Sequence, residues 1–296
     1  MQGSAGGPPA AADGHRYPLD SSRQQQPLAR LLDLLDLETI EMNVFRGHSP
    51  PETKTRVFGG QVAAQALVAA TRTVDPRTQV HSLHAYFLRP GSPSMPIVYE
   101  VDRLRDGRSY TTRRVAAIQG GKVIFNLQAS FQVPERGYEH QAPMPDVPGP
   151  EQAVPRDESD LPEEVQLDFL HSVRPIEART VPDHDPYCRR VWVRANGSMN
   201  DDPVLHACVL TYISDLTLLG VTVGPHLDSH ERPGMMASLD HAMWFLRPFR
   251  ADEWLLYDQE TASATGGRGL ARGRVWTSDG VLAASVVQEG VIRPPL

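Results

Sequence analysis

The chain has 296 residues, 40% of them apolar, and a formal net charge of −7. This length is enough for one large domain or two of ordinary size, and the apolar content excludes global disorder. The net negative charge argues against wholesale binding of nucleic acid, but it leaves room for an anionic ligand held by a local basic patch.

The targeting and redox signals point to the cytoplasm. The two cysteines, Cys188 and Cys208, are too few for a disulfide framework and fit a reducing compartment. By inspection no run approaches the roughly 20 apolar residues of a membrane helix. The N-terminal segment lacks the basic start and apolar centre of a secretory signal. Residues 1–27, rich in Gly, Pro and Ala and then polar, are predicted to form a disordered tail.

The first half of the chain predicts helices followed by a sheet. Helical spacing over residues 28–43 predicts a short amphipathic helix. A second helix is predicted to begin at Gly59, and its many alanines permit close packing. From Val80, four segments separated by Gly or Pro carry the β-branched and aromatic residues of an antiparallel meander. A helix packed on one face of this sheet gives an α+β layer.

A segment rich in Pro and acidic residues divides the chain. Residues 134–180 have no apolar periodicity and predict an exposed, semi-rigid linker. The predicted organisation is therefore one repeat over residues 28–135, a linker over 136–180 and a second repeat over 181–296.

In the predicted order of its elements, the second half of the chain repeats the first half. A strand, a long helix and four strands follow the linker, and the tetrapeptide Phe-Leu-Arg-Pro occurs at both Phe87–Pro90 and Phe245–Pro248. Two copies of one unit are the simplest account of this recurrence. Packed edge to edge, they form one long sheet that hides two edge strands.

The predicted helix of the second copy, Leu205–Leu219, carries one acid on its apolar face. Cys208, Tyr212, Asp215 and Leu219 fall on the same side of a helix. A carboxylate in that position must be paired, neutralised or used in chemistry. A structural Asp paired with a neighbouring strand is the alternative that these residues leave open.

Two strands of the second copy carry polar groups that suit the same site. Ser238 stands at the start of the first long strand, and Gln288 ends an apolar face of the last strand, whereas Glu289 faces solvent. We expect Asp215, Ser238 and Gln288 to converge on one water, which the acid orients or deprotonates. The first copy offers no acid on its helix.

The chain resembles the acyl-CoA thioesterase II family, whose fold is a double hotdog. The resemblance covers most of the chain from residue 28 apart from the linker, with matching stretches such as YISDLTLLG, ASLDHAMWFLRPF and VVQEGVIR. It implies that the family's catalytic aspartate corresponds to Asp215, its hydroxyl residue to Ser238 and its glutamine to Gln288. The implied reaction is hydrolysis of medium- to long-chain fatty acyl-CoA to free fatty acid and CoA, with no metal or cofactor.

Four further residues are candidates for substrate binding. Gly59 and Gly60 leave backbone N–H groups bare at a helix start, which suits the oxyanion of a thioester intermediate. An ordinary helix start is the alternative explanation. Arg268 and Arg272 follow a Gly-rich turn and are candidates for contacts with the phosphates of CoA. That turn does not join a strand to a helix, as a phosphate-binding loop does.

Two other functions remain open at this stage. A hotdog-fold enoyl-CoA hydratase requires an Asp/His pair facing the acyl chain, and His206 lies on a different side of the helix from Asp215. A non-catalytic acyl-CoA binding protein is the other alternative. A Gly-x-Ser-x-Gly nucleophile elbow is absent from the sequence, which argues against a serine thioesterase of the α/β-hydrolase kind. Exposed sheet edges lead us to expect a homo-oligomer.

Overall fold

The computed structural model describes residues 27–155, 173–183, 185–226 and 234–294. The predicted tail therefore lies outside the described residues except for Pro27. The same holds for residues 156–172 of the predicted linker.

The first half contains two helices, followed and interleaved by six strands. They are α1 (Pro27–Leu35), β1 (Glu38–Glu41), β2 (Val44–Gly47), α2 (Gly59–Thr71), β3 (Gln79–Phe87), β4 (Ile97–Asp106), β5 (Tyr110–Gln119) and β6 (Lys122–Gln132).

In the second half, eight strands and one long helix are described, together with a short 3₁₀ helix. They are β7 (Val154–Pro155), β8 (Ile176–Val181), β9 (Cys188–Ala195), α3 (Pro203–Ser214), the 3₁₀ helix (Leu219–His226), β10 (Met235–Ser238), β11 (Asp240–Phe245), β12 (Leu255–Thr265), β13 (Arg268–Thr277) and β14 (Leu282–Arg293).

All the described strands belong to one antiparallel sheet. Their order is β1-β2-β4-β5-β6-β3-β11-β14-β13-β12-β9-β8-β7, with β10 paired to β14. Strands β3 and β11 meet at the centre, where Asp240 stands opposite Tyr86 and Trp244 opposite Ser82. Outward from this junction each half repeats the same strand order. The predicted α+β architecture of two copies joined edge to edge is confirmed.

Helices α2 and α3 pack against each other inside the sheet. A Cβ atom on Gly60 would stand 2.6 Å from the carbonyl oxygen of Tyr212, so the two backbones approach as closely as a glycine allows. The five alanines of α2 are all buried, as the predicted close packing requires.

The predicted helix over 205–219 is wrong at its end. It stops at Ser214, and Asp215 is the C-cap residue rather than part of the helical face. The Ser214 carbonyl is one of the last in the helix, where carbonyls lack an intrahelical partner, and it accepts a hydrogen bond from the Tyr257 hydroxyl at 3.0 Å. The helix is also buried on all sides from His206 onward instead of along one stripe.

The same segment corrects the membrane estimate made from the sequence. Pro203–His226 spans 24 residues with a mean hydropathy of 1.7 in its most apolar window, so length and composition alone would admit it as a membrane span. Within the fold 67% of that window is buried, and this burial accounts for its apolar composition.

The helix predicted over residues 28–43 is also shorter than expected. It ends at Leu35, and β1 and β2 then form a hairpin. Asn43 turns this hairpin with a φ of 62°, a left-handed conformation that Asn tolerates better than most residues.

The predicted linker is partly structured. Strand β8 lies almost entirely within it and pairs with β9. The Trp192 indole donates to the carbonyl of Pro148 at 2.9 Å. Met144 and Val147 pack over a small apolar cluster on the outer face of the second copy's half of the sheet. The largest members of this cluster are Trp192, Leu256 and Trp276. This part of the linker therefore covers that face.

Candidate active site

The three polar residues predicted to converge do so. The Gln288 side-chain amide donates to Asp215 Oδ1 at 2.6 Å and to Ser238 Oγ at 2.8 Å. The Ser238 hydroxyl lies 3.5 Å from Asp215 Oδ1, at the upper limit for a hydrogen bond. An acid, a hydroxyl and an amide therefore share one small polar cluster.

Each of these side chains comes from a different element of the second copy. Asp215 directly follows the last residue of α3. On β14, Gln288 points inward and Glu289 points outward, as the predicted alternation requires. Glu289 pairs there with Arg268. Ser238 is the last residue of β10 rather than the first of a long strand. Leu239 interrupts the strand and donates its N–H to the Glu289 carbonyl at 2.9 Å, which keeps Ser238 beside β14.

The first copy completes the site. The backbone N–H of Gly60, in the first turn of α2, hydrogen bonds to the Asp215 carboxylate. A Cβ atom on Gly59 would stand 2.6 Å from Asp215 Oδ2. The predicted contact between Gly60 and an oxygen of the substrate stays a prediction; in this structure the Gly60 N–H is directed at the carboxylate of Asp215. The positive end of α2 thus faces the acid, and this arrangement favours negative charge.

Burial raises the pKa of Asp215 from 3.8 to about 6. Hydrogen bonds from Gln288, Gly60 and Ser238 and the positive charge of Arg56 act in the opposite direction and lower that pKa. The result is an acid that is mostly ionised at neutral pH and is still basic enough to accept a proton.

A cavity of about 590 Å³ opens beside this cluster, and Asp215 and Ser238 form part of its wall. This volume lies in the range of small-molecule sites. Much of the remaining wall is apolar and comes from both copies, including Val62, Phe87, Phe125, Leu219 and Leu239. The cavity suits a ligand with an apolar part and one reactive polar group.

The arginines at this cavity are not those that the sequence suggested. Arg268 and Arg272 lie on the outer face of β13, whereas Ala271, the partner of Gln288, faces inward. The cavity is lined instead by Arg56, Arg89 and Arg189. The one sequence signal for these arginines was that Arg89 belongs to the repeated Phe-Leu-Arg-Pro tetrapeptide. Because the tetrapeptide occurs in both copies, it did not show which copy supplies the arginine at this cavity.

Strand β12 fixes the turn that carries Asp215. Besides the bond from Tyr257 to the Ser214 carbonyl, the Gln259 amide donates to Thr217 Oγ1 at 2.5 Å. His241 contacts the Ser214 hydroxyl at 2.8 Å, and burial lowers the pKa of this His to about 4, so it is neutral. Sequence patterns gave no indication of these contacts, which join elements far apart in the chain.

The corresponding positions of the first copy lack this chemistry. Ser238 stands opposite Gly290, two residues beyond Gln288. In the first copy Val80 stands opposite Phe131, two residues beyond Ala129. Val80 therefore occupies the position of Ser238, and Ala129 occupies that of Gln288. The residue after α2, at the position of Asp215, is Arg72. The polar cluster is therefore present in one copy only.

Comparisons with known proteins identify the family and the fold of the chain. A family model described as acyl-CoA thioesterase matches residues 162–291, and one described as acyl-CoA thioesterase N-terminal domain matches residues 48–132. A solved protein from Alicyclobacillus acidocaldarius with a hot dog fold superposes at a TM-score of 0.74 with 21% identity, covering 89% of this chain and 98% of that one. The protein is thus a double hotdog.

Two relatives are closer in sequence. Acyl-coenzyme A thioesterase 8 of Rattus norvegicus is 42% identical over 282 residues, covering 88% of each chain. The acyl-CoA thioesterase II of Mycobacterium marinum is 46% identical at a TM-score of 0.77, covering 90% of this chain and 98% of that one. The chain belongs to the acyl-CoA thioesterase family.

Proposed function

We propose that the protein hydrolyses medium- to long-chain acyl-CoA to free fatty acid and CoA, with Asp215, Ser238 and Gln288 as the catalytic groups. The observation that carries this proposal is the convergence of these three side chains, within 3.5 Å of each other, at a largely apolar cavity in a member of the acyl-CoA thioesterase family.

In the proposed mechanism, Asp215 accepts a proton from a water molecule as the water oxygen attacks the thioester carbonyl carbon. The tetrahedral intermediate then breaks its C–S bond, and the CoA thiolate takes up the proton held by Asp215. The Gln288 amide uses both N–H groups on Asp215 and Ser238. The Ser238 oxygen accepts one of these bonds, its hydroxyl hydrogen faces Asp215 Oδ1, and its second lone pair then serves to accept a hydrogen bond from the attacking water.

The apolar wall supports the preference for longer acyl chains. Phe87 and Val62 of the first copy and Leu219 and Leu239 of the second line the cavity beside Asp215. Each methylene group transferred from water to such a surface contributes about 0.8 kcal/mol. Binding should therefore strengthen with chain length until the cavity is filled.

The hydratase alternative finds no matching pair of residues at this cavity. His206 lies at the N-terminal end of α3, where its Nδ1 accepts the N–H of Ala251 at 3.0 Å. Asp215 lies beyond the other end of the same helix. His206 is absent from the described cavity lining, so an Asp/His pair facing the acyl chain is not formed there.

Release of free thiol from a chain-length series of saturated acyl-CoAs tests the proposal. We expect release that increases from acetyl-CoA toward the longer chains. With an enoyl-CoA added as a separate substrate, loss of its absorbance without thiol release would support the hydratase instead. A folded protein that binds acyl-CoA but releases no thiol would be a binding protein, and the proposed hydrolysis would be wrong.

A further inference from the structure

The cavity beside Asp215 has an unusual balance of charge. Its described lining contains three arginines, Arg56, Arg89 and Arg189, and a single acid, Asp215. The whole chain carries a net charge of −7. A cluster of cations at one opening of an acidic protein attracts an anionic ligand to that opening.

Arg56 and Arg89 keep most of their hydrogen-bonding capacity. Both are exposed. Arg56 donates to the Met236 carbonyl at 3.5 Å, and Arg89 donates to the Val123 carbonyl at 2.6 Å. Within the described ranges neither forms a salt bridge. Because a guanidinium has five N–H donors, each retains several for a ligand.

Elsewhere in the fold, exposed or half-buried arginines are commonly paired with acids. Arg190 pairs with Asp183 and Asp258, and Arg194 pairs with Glu177. The two arginines at the cavity differ from these because their bonds go only to backbone carbonyls. Because their direct bonds do not go to a protein carboxylate, both arginines are able to pair with the negative charge of a ligand.

We propose that Arg56 and Arg89 bind the phosphate groups of coenzyme A at the mouth of the cavity. This inference rests on the proposed acyl-CoA hydrolysis. The planar guanidinium fork matches the oxygens of a phosphate and makes charge-assisted hydrogen bonds to them. In CoA the phosphates and the thioester lie at opposite ends of the pantetheine arm. In the cavity, Arg56 and Arg89 at the rim and Asp215 further inside are separated in the same way.

The duplication supplies a matched control. Arg247 is the arginine of the second Phe-Leu-Arg-Pro tetrapeptide and lines a separate cavity of about 370 Å³. It donates to the His140 carbonyl at 2.8 Å, much as Arg89 donates to a carbonyl. The positions of the acid, hydroxyl and amide are occupied in the first copy by Arg72, Val80 and Ala129, and Val80 lines this second cavity. Arg247→Ala therefore removes an equivalent arginine away from the polar cluster.

The test compares wild type, Arg56→Ala, Arg89→Ala and Arg247→Ala on two substrates with the same acyl group. One is the acyl-CoA, and the other is the acyl thioester of N-acetylcysteamine, which has no phosphate. For Arg56→Ala and Arg89→Ala we expect KM for acyl-CoA to rise about 10-fold or more. That rise should exceed any change on the truncated substrate by about 10-fold. Arg247→Ala should leave both KM values near those of the wild type.

Calorimetric titration with CoA itself separates this inference from the proposed hydrolysis, since it requires no turnover. Weaker CoA binding by Arg56→Ala and Arg89→Ala, with Arg247→Ala unchanged, supports the phosphate site even if no thiol is released. An unchanged KM and CoA affinity in both cavity variants would overturn it. A loss confined to Arg247→Ala would also overturn it, because CoA would then enter through the other cavity.

Discussion

The backbone N–H of Gly60 in the first copy donates a hydrogen bond to the carboxylate of Asp215 in the second copy. Neither copy alone therefore contains the complete polar site. The contact is made possible by the close approach of α2 and α3, where only a glycine fits against the Tyr212 carbonyl. The first copy has no acid of its own at the corresponding position, and its helix start instead serves the acid of its partner copy.

Gly59→Ala should impair catalysis while leaving the fold intact. The added Cβ would stand 2.6 Å from Asp215 Oδ2, so the carboxylate must shift. A displacement of about 1 Å in a reacting group reduces the rate by about 10²-fold, and kcat for acyl-CoA should fall accordingly. Gly137→Ala is the control, because nothing lies within 4 Å of the new methyl group there. Equal kcat values for the two variants would argue against the proposed role of Asp215.

The pH dependence of kcat/KM should follow the ionisation of Asp215. Burial raises the pKa of this acid to about 6, and only the ionised form accepts a proton from water. Activity should therefore rise about 10-fold per pH unit below about pH 6 and level off above it. A pH–rate profile measured on wild type checks this. A profile that is flat through this region would exclude Asp215 as the base.

The same pKa predicts how stability changes with pH. In the unfolded chain Asp215 has its ordinary pKa of 3.8, and in the fold about 6, so the folded state holds the proton more tightly. The stabilisation gained by protonation is complete below the lower pKa and is lost as pH rises through about 6. Asp215→Asn, which cannot ionise, escapes this loss.

Asp215→Asn should therefore gain stability relative to wild type as pH rises. The difference between their free energies of unfolding, variant minus wild type, should increase by roughly 1 kcal/mol between about pH 5 and about pH 8. Urea unfolding of both proteins at the two pH values measures this difference. A difference that stays constant, or that decreases toward high pH, would contradict the raised pKa.

Substitutions at Ser238 should separate the hydroxyl from the rest of the side chain. Ser238→Ala removes the group that accepts from Gln288 at 2.8 Å, and kcat should fall about 10²-fold. Ser238→Thr keeps the hydroxyl and should retain most of the activity. Steady-state kinetics on one acyl-CoA checks both. An alanine variant as active as the threonine variant would remove the hydroxyl from the mechanism.

Tyr257 should act as a positioning residue, and the first copy offers its counterpart, Tyr99. The Tyr257 hydroxyl donates to the Ser214 carbonyl at 3.0 Å, and the Tyr99 hydroxyl donates to Gln65 Oε1 at 2.6 Å. Either Tyr→Phe change should cost about 1 kcal/mol of stability. Only Tyr257→Phe should also lower kcat, by a few-fold and without a matching change in KM. Equal kcat values for the two variants would show that the bond to Ser214 is structural alone.

Much of the fold could be predicted from the sequence because the duplication and the strand punctuation are local signals. The alternation along β14 placed Gln288 inward and Glu289 outward, and the Ala-rich composition of α2 indicated close packing. The end of α3 could not be predicted in the same way, because the apolar run continues past Ser214. The carbonyl at its end pairs with Tyr257, some forty residues further along the chain, and no local pattern shows that partner.

The polar cluster of the site could also be predicted, because its residues leave local signals in the sequence. Asp215, Ser238 and Gln288 are polar residues in apolar segments, and such contrasts are visible in a sequence. Arg56 and Arg89 lie in exposed segments where arginine is common, so nothing local marks them. The contact between Gly60 and Asp215 could not be predicted, because a sequence shows a bare helix start without showing which oxygen lies in front of it.

The most direct measurement is kcat for thiol release by wild type and by Asp215→Asn, with circular dichroism to show that both are folded. Asn preserves the size of the side chain and removes its ability to accept a proton. A fall in kcat of about 10²-fold or more, with KM little changed, is the result expected if Asp215 acts in the chemical step. A folded Asp215→Asn protein that keeps the wild-type kcat would contradict the proposed mechanism.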